Sequence, residues 1–190
     1  GIASLHLQHV GSDRSLWQGN PFALVNRFES ATSETEAIAR VQDARFALDR
    51  LLASRLAPHI AMNHISAAGH SYGANTTMLQ IGASVMRNGR VLEVRDSRIS
   101  SAILISAPPF YGESNLQSIL GSIKIPTLHI TTEDDVIRIP GFGSGLADRE
   151  EIFEATGSAR KVLAVYGEGS HNVFTDRRYF DSKQVATDVQ

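Results

Sequence analysis

One serine, a pair of aspartates and one histidine each follow an apolar run, and together they set the chemistry this chain can do. Gly69-His70-Ser71-Tyr72-Gly73 fits the G-x-S-x-G pattern, in which a serine sits on a sharp turn between a strand and a helix. Asp134-Asp135 follow the run 125–131, and His171 follows the run 161–166 across Gly167-Glu168-Gly169-Ser170. A serine hydroxyl becomes a useful nucleophile only beside a base that takes its proton. The base in turn needs a carboxylate to fix its tautomer and support its positive charge. Ser71 is thus the candidate nucleophile, His171 the candidate base, and Asp134 or Asp135 the candidate acid. Such a turn forces backbones together, so both Gly69 and Gly73 are expected to have no room for a side chain.

Those residues must be held by particular elements. Ile65, Ala67 and Ala68 precede the glycine as a buried parallel strand would. Ala74, Met78, Leu79, Ile81 and Gly82 after the serine have helical spacing. Upstream, Ile2 to His9 reads as a strand closed by 10–13. Ser33-Glu34-Thr35-Glu36 reads as a capping box opening a long amphipathic helix that ends near Pro58, with Ile38, Val41, Ala44, Leu48, Leu51 and Leu52 on one stripe. Downstream come strands over 99–107, 125–131 and 161–166, with a helix over 146–155. Strands alternating with helices predict an α/β fold, a mostly parallel sheet with helices on both faces. In such sheets the active groups gather at the carboxyl ends of the strands, where Ser71, Asp134/Asp135 and His171 all fall.

Composition removes other classes of chemistry. At 190 residues, 42% hydrophobic and 20% charged, the chain reads as a single globular domain over 1–190. A net charge of −2 gives no footprint for nucleic acid or an anionic membrane surface. Without cysteine, thiolate catalysis, disulfides and cysteine-ligated zinc are excluded. No apolar run approaches the roughly 20 residues of a membrane span, and no segment reads as a signal peptide.

The remaining polar and aromatic features read as structural. His129 lies inside a strand and His70 packs within the turn. His6 and His9 alternate on one face of the first run, a weak pattern for a metal pair. Gly141-Phe142-Gly143-Ser144-Gly145 follows a proline turn rather than a strand, so it reads as a flexible loop and not as a phosphate cradle. Phe110 and Tyr111 after a strand end fit an acyl pocket or an ordinary loop anchor equally well.

The motifs resemble those of the α/β-hydrolase superfamily, and of its dienelactone-hydrolase-like and platelet-activating-factor-acetylhydrolase-like serine esterases in particular. The matching stretches are Gln8-His9-Val10-Gly11-Ser12-Asp13, residues 43–52 of the long helix, Gly69-His70-Ser71-Tyr72-Gly73-Ala74, Thr132-Glu133-Asp134-Asp135 and Gly169-Ser170-His171-Asn172-Val173-Phe174. The resemblance implies hydrolysis of a small-molecule carboxylic ester through an acyl-enzyme on Ser71, with His171 as base and no cofactor or metal. It also implies that Asp135, at the turn position where the family carries its acid, serves in preference to Asp134. The Tyr72 N–H would be the first oxyanion donor. The family's second donor lies in a His-Gly loop after an earlier strand, and only Val10-Gly11 offers a substitute here. The chain is therefore expected to lack the fold's N-terminal strands, and no closing helix is legible after Asp181. Acyl transfer or peptide hydrolysis would use the same three residues, and a non-catalytic binding domain on the same fold is the alternative from another class.

Overall fold

Four short runs rich in Ile, Val, Ala and Thr become the strands of one parallel sheet among the described residues. The computed structural model describes residues 1–9, 34–87, 90–138 and 141–175. The chain divides into two compact units, Gly1–Ala61 and Met62–Gln190.

In the first unit, helix α1 spans Glu34–Leu52, with a short 3₁₀ turn at Ala57–His59 where Pro58 takes an early helical position. Ser33, the expected cap, lies outside the described residues, as do Val10 and Gly11. The expected strand over Ile2–His9 does not form. Among the described residues none pairs with 1–9 as a strand, and Ile2, Leu5 and Leu7 are exposed. An alternating run becomes a strand only where a neighbour accepts its backbone hydrogen bonds.

The second unit holds the sheet. Strands β1 (Ile65–His70), β4 (Ile99–Ile105), β5 (Thr127–Thr132) and β6 (Lys161–Tyr166) lie side by side in that order, all parallel. The register aligns His70 with Ile105, Ile105 with Ile130, and Thr132 with Tyr166, so the strands end at a common rim. Helix α2 (Tyr72–Ile81) packs on β1 and β4, and helix α4 (Leu146–Ala155) packs on β5 and β6. Their meeting faces make the core: Met78, Leu79 and Ile81 from α2, Leu104 from β4, Ile152 from α4. Leu120, at the end of the short helix α3 (Leu116–Leu120), and Ile123 complete it. Each such side chain contributes about 1.5–3 kcal/mol by leaving water. Gly82 ends α2 in the left-handed conformation, φ 119°, where any side chain would be strained.

A short helix and a pair of strands escaped the sequence reading. Helix α3 is five residues long, too short for a period to show. The antiparallel pair β2 (Ser84–Arg87) and β3 (Arg90–Glu93) forms a separate two-stranded sheet. Its signal was present as Asn88-Gly89 between two four-residue runs, each with an apolar pair in its middle. Among the described residues no helix is long and apolar enough to cross a membrane.

Candidate active site

β1 runs straight into α2 through a single residue, and that residue is Ser71. Its φ of 54° is unusual for a residue with a side chain, and costs on the order of 1–3 kcal/mol. Backbone bonds on either side hold it there: Ser71 N donates to the Ile105 carbonyl at 2.9 Å, and Ala74 N to the Ser71 carbonyl at 2.8 Å. A serine at a helix N-cap ordinarily turns its hydroxyl onto the first N–H groups. Ser71 makes no such bond; its hydroxyl points instead to a histidine.

The two glycines of the turn are not equivalent. A Cβ built on Gly69 would sit 2.1 Å from the Gly73 carbonyl oxygen, so that position admits only glycine. A Cβ on Gly73 would meet nothing within 4 Å, against the expectation that both must be bare. The crowding is the approach of Gly73's own carbonyl to Gly69; the side-chain direction of Gly73 is open.

Three strand ends converge. Ser71 Oγ lies 2.8 Å from His171 Nε2, and His171 Nδ1 lies 2.6 Å from Asp135 Oδ1. Asp135 is fully buried, whereas Glu133 and Asp134 are exposed. The chain turns back after β5, with Asp135 N bonded to the Thr132 carbonyl, and this carries the third acid of the stretch inward. Asp135's other oxygen accepts from Thr131 Oγ1 at 2.7 Å, and the Arg149 guanidinium lies 3.4 Å from both oxygens. Burial alone would push the Asp135 carboxyl up. The hydrogen bond from His171 and the positive charge of Arg149 outweigh it and hold the group well below the usual carboxylate range. An ionised Asp135 fixes the neutral imidazole with its proton on Nδ1, leaving Nε2 bare to accept from Ser71.

The other candidates have partners of their own. His129 is buried, 3.2 Å from Thr127 Oγ1 and edge-on to Phe153. His6 bonds Ser4, and His9 bonds Asp43 at 2.8 Å, so the two do not converge on one point. The loop 141–145, expected to be loose, is tied at two places: Ile137 and Ser144 pair through their backbones, and Tyr111 donates to the Phe142 carbonyl at 2.7 Å.

No protein-family model and no curated protein matches the sequence. Solved structures do match. A cold-adapted esterase from an Arctic intertidal metagenomic library shares a TM-score of 0.52 and 20% identity, over 80% of this chain and 56% of that one. A Klebsiella pneumoniae protein assigned as a dienelactone hydrolase shares a TM-score of 0.58 and 16% identity, over 94% of this chain and 67% of that one. The fold is that of the α/β-hydrolases. An esterase of Pyrococcus furiosus is similar too, with a TM-score of 0.51 and 16% identity over 74% of this chain and 55% of that one. The chain thus spans a little over half the length of the two esterases.

Within this α/β-hydrolase fold, two neighbours of Asp135 went unnoticed in the sequence. Arg149 shares the buried face of α4 with Ile152 and Ala155, and a charge on an apolar helical stripe is the signal that marks it. Thr131 is one of three buried threonines in β5, with Thr127 and Thr132, so its type alone does not single it out. The backbone N–H of Tyr72 opens α2 next to Ser71, at the end of the helix that favours negative charge.

Proposed function

We propose that this chain hydrolyses carboxylic esters through an acyl-enzyme on Ser71. The observation that carries the reading is the unbroken relay from Ser71 Oγ to His171 to a buried, ionised Asp135, at 2.8 and 2.6 Å. His171 Nε2 takes the hydroxyl proton as Oγ attacks the ester carbonyl carbon, and the carbonyl π electrons move onto oxygen. The Tyr72 N–H faces that oxyanion from the start of α2. The tetrahedral intermediate collapses, the C–O bond to the alcohol breaks, and the imidazolium returns its proton to the departing alkoxide. Water then repeats the sequence on the acyl-enzyme, releasing the acid and restoring Ser71. Asp135 supports each imidazolium without itself taking the proton. No cofactor enters these steps. Esterases among the structural neighbours support the ester as substrate class.

The test is a fluorophosphonate probe together with a short p-nitrophenyl ester. The parent chain is expected to be labelled on Ser71 and to turn over the ester. Ser71→Ala should lose both, roughly 10⁴-fold or more in kcat. Labelling elsewhere, or turnover by Ser71→Ala near the parent level, would defeat the reading.

A further inference from the structure

The loop that carries His171 follows β6 through Gly167 and Gly169, and its own bonds, Val173 N to the Ser170 carbonyl at 3.0 Å and Asn172 N to Ser170 Oγ at 3.3 Å, tie it to itself. Two side chains from other strands tie its carbonyls to the sheet. Thr132 Oγ1, at the end of β5, donates to the Gly169 carbonyl. His70 Nε2, at the end of β1, lies 2.8 Å from the carbonyl oxygen of His171 itself. A carbonyl oxygen only accepts, so the proton of this bond sits on His70 Nε2. The two imidazole rings are also in contact, with centroids 4.9 Å apart and planes tilted by 37°.

We propose that His70 is a positioning residue whose Nε2–H clamps the His171 carbonyl to the strand end that presents Ser71. His70 and Ser71 are chain neighbours, so any shift of the turn carries the clamp with it and preserves the gap across which the proton moves. His70 touches no reacting atom; it acts through His171. Burial, and then the neighbouring His171, push His70 down to about 4, with Asp135 and Arg149 the other charges that face it. The ring is therefore neutral at neutral pH and sets no second cation beside the imidazolium formed during acylation.

This inference rests on the ester-hydrolase reading, and the experiment separates the two. Gln places an amide nitrogen close to where Nε2 lies, Asn offers the same amide one methylene short, and Leu offers no donor. His70→Gln is expected to keep kcat within about threefold of the parent. His70→Asn and His70→Leu should lose about 10- to 100-fold in kcat with KM unchanged, the scale on which misplaced groups fail. Equal kcat for the Gln and Asn variants, or a loss confined to KM, would overturn the clamp. If the Leu variant fails to fold, the Gln and Asn pair decides the matter alone. Nitrogen-15 NMR of the folded parent gives a readout independent of turnover: His70 should be protonated on Nε2 and bare on Nδ1. The opposite tautomer overturns the inference. A parent that neither labels nor turns over defeats the hydrolase reading, while the tautomer still judges the clamp.

Discussion

At the scale of single residues, the two adjacent aspartates make the sharpest contrast. Asp135 is buried and bonded to His171, while Asp134 is exposed beside it. Asp135→Asn leaves the imidazole in the wrong tautomer, and the corresponding change in the serine-protease template costs about 10⁴ in kcat. Asp134→Asn exchanges one good turn residue for another and should cost less than about tenfold. Steady-state kinetics of the two variants on one ester checks both; similar losses would remove Asp135 from its assigned role. That Ser71, Asp135 and His171 come together was legible because each follows an apolar run, and a run of that kind reveals where a strand stops. Arg149 and Thr131 were not, because their roles depend on which helix face and which strand face turn toward Asp135. That is a matter of tertiary packing and leaves only a faint mark on the sequence.

At the scale of elements, the turn between β1 and α2 makes a prediction that pattern alone gets wrong. The G-x-S-x-G pattern treats its glycines alike, whereas the space around them differs. Gly69→Ala drives a methyl group into the Gly73 carbonyl, so it should cost about 1–3 kcal/mol or more and move Ser71. Gly73→Ala meets open space inside a helix, where alanine is the better former by about 1 kcal/mol. Denaturant melts are expected to show Gly69→Ala strongly destabilised and Gly73→Ala equal to or above the parent. The reverse order would mean that the turn is built differently. The same distinction explains which elements could be read in advance. α4 and β6 fall where spacing placed them, because period and length were both sufficient. The run Ile2–His9 has the alternation of a strand without a described partner, and pairing is not encoded in alternation.

At the scale of the whole molecule, buried histidines govern the response to acid. Burial, and then the Lys161 ammonium, push His129 down from 6.5 to about 4, and His70 falls to about 4 as well. Both stay neutral in the fold at pH values where the unfolded chain already binds protons. Their contribution to stability is therefore complete above pH 6.5 and is withdrawn as the pH falls toward 4. For His129 alone this amounts to about 3 kcal/mol, from the fall from 6.5 to about 4. Asp135 acts in the same direction lower down: its carboxyl is depressed from 3.8 in the fold, so its support is present above that value and lost beneath it. Unfolding free energy should thus drop between pH 6.5 and 4, and His129→Gln should drop less by roughly 3 kcal/mol. Parallel curves for the two proteins would show that His129 titrates normally.

The bond between Ser71 and His171 joins residues 100 positions apart in the chain. In the described sheet β6 docks on β5, β5 on β4, and β4 on β1, so that bond forms only once the whole row of strands has assembled. On the proposed reading, the reactivity of Ser71 would consequently be a clock for the end of folding. Helical signal depends mainly on local hydrogen bonds and returns early, whereas long-range parallel pairing is slow. In stopped refolding, pulses of fluorophosphonate should begin to label Ser71 only in the slowest phase, after the far-ultraviolet signal has recovered.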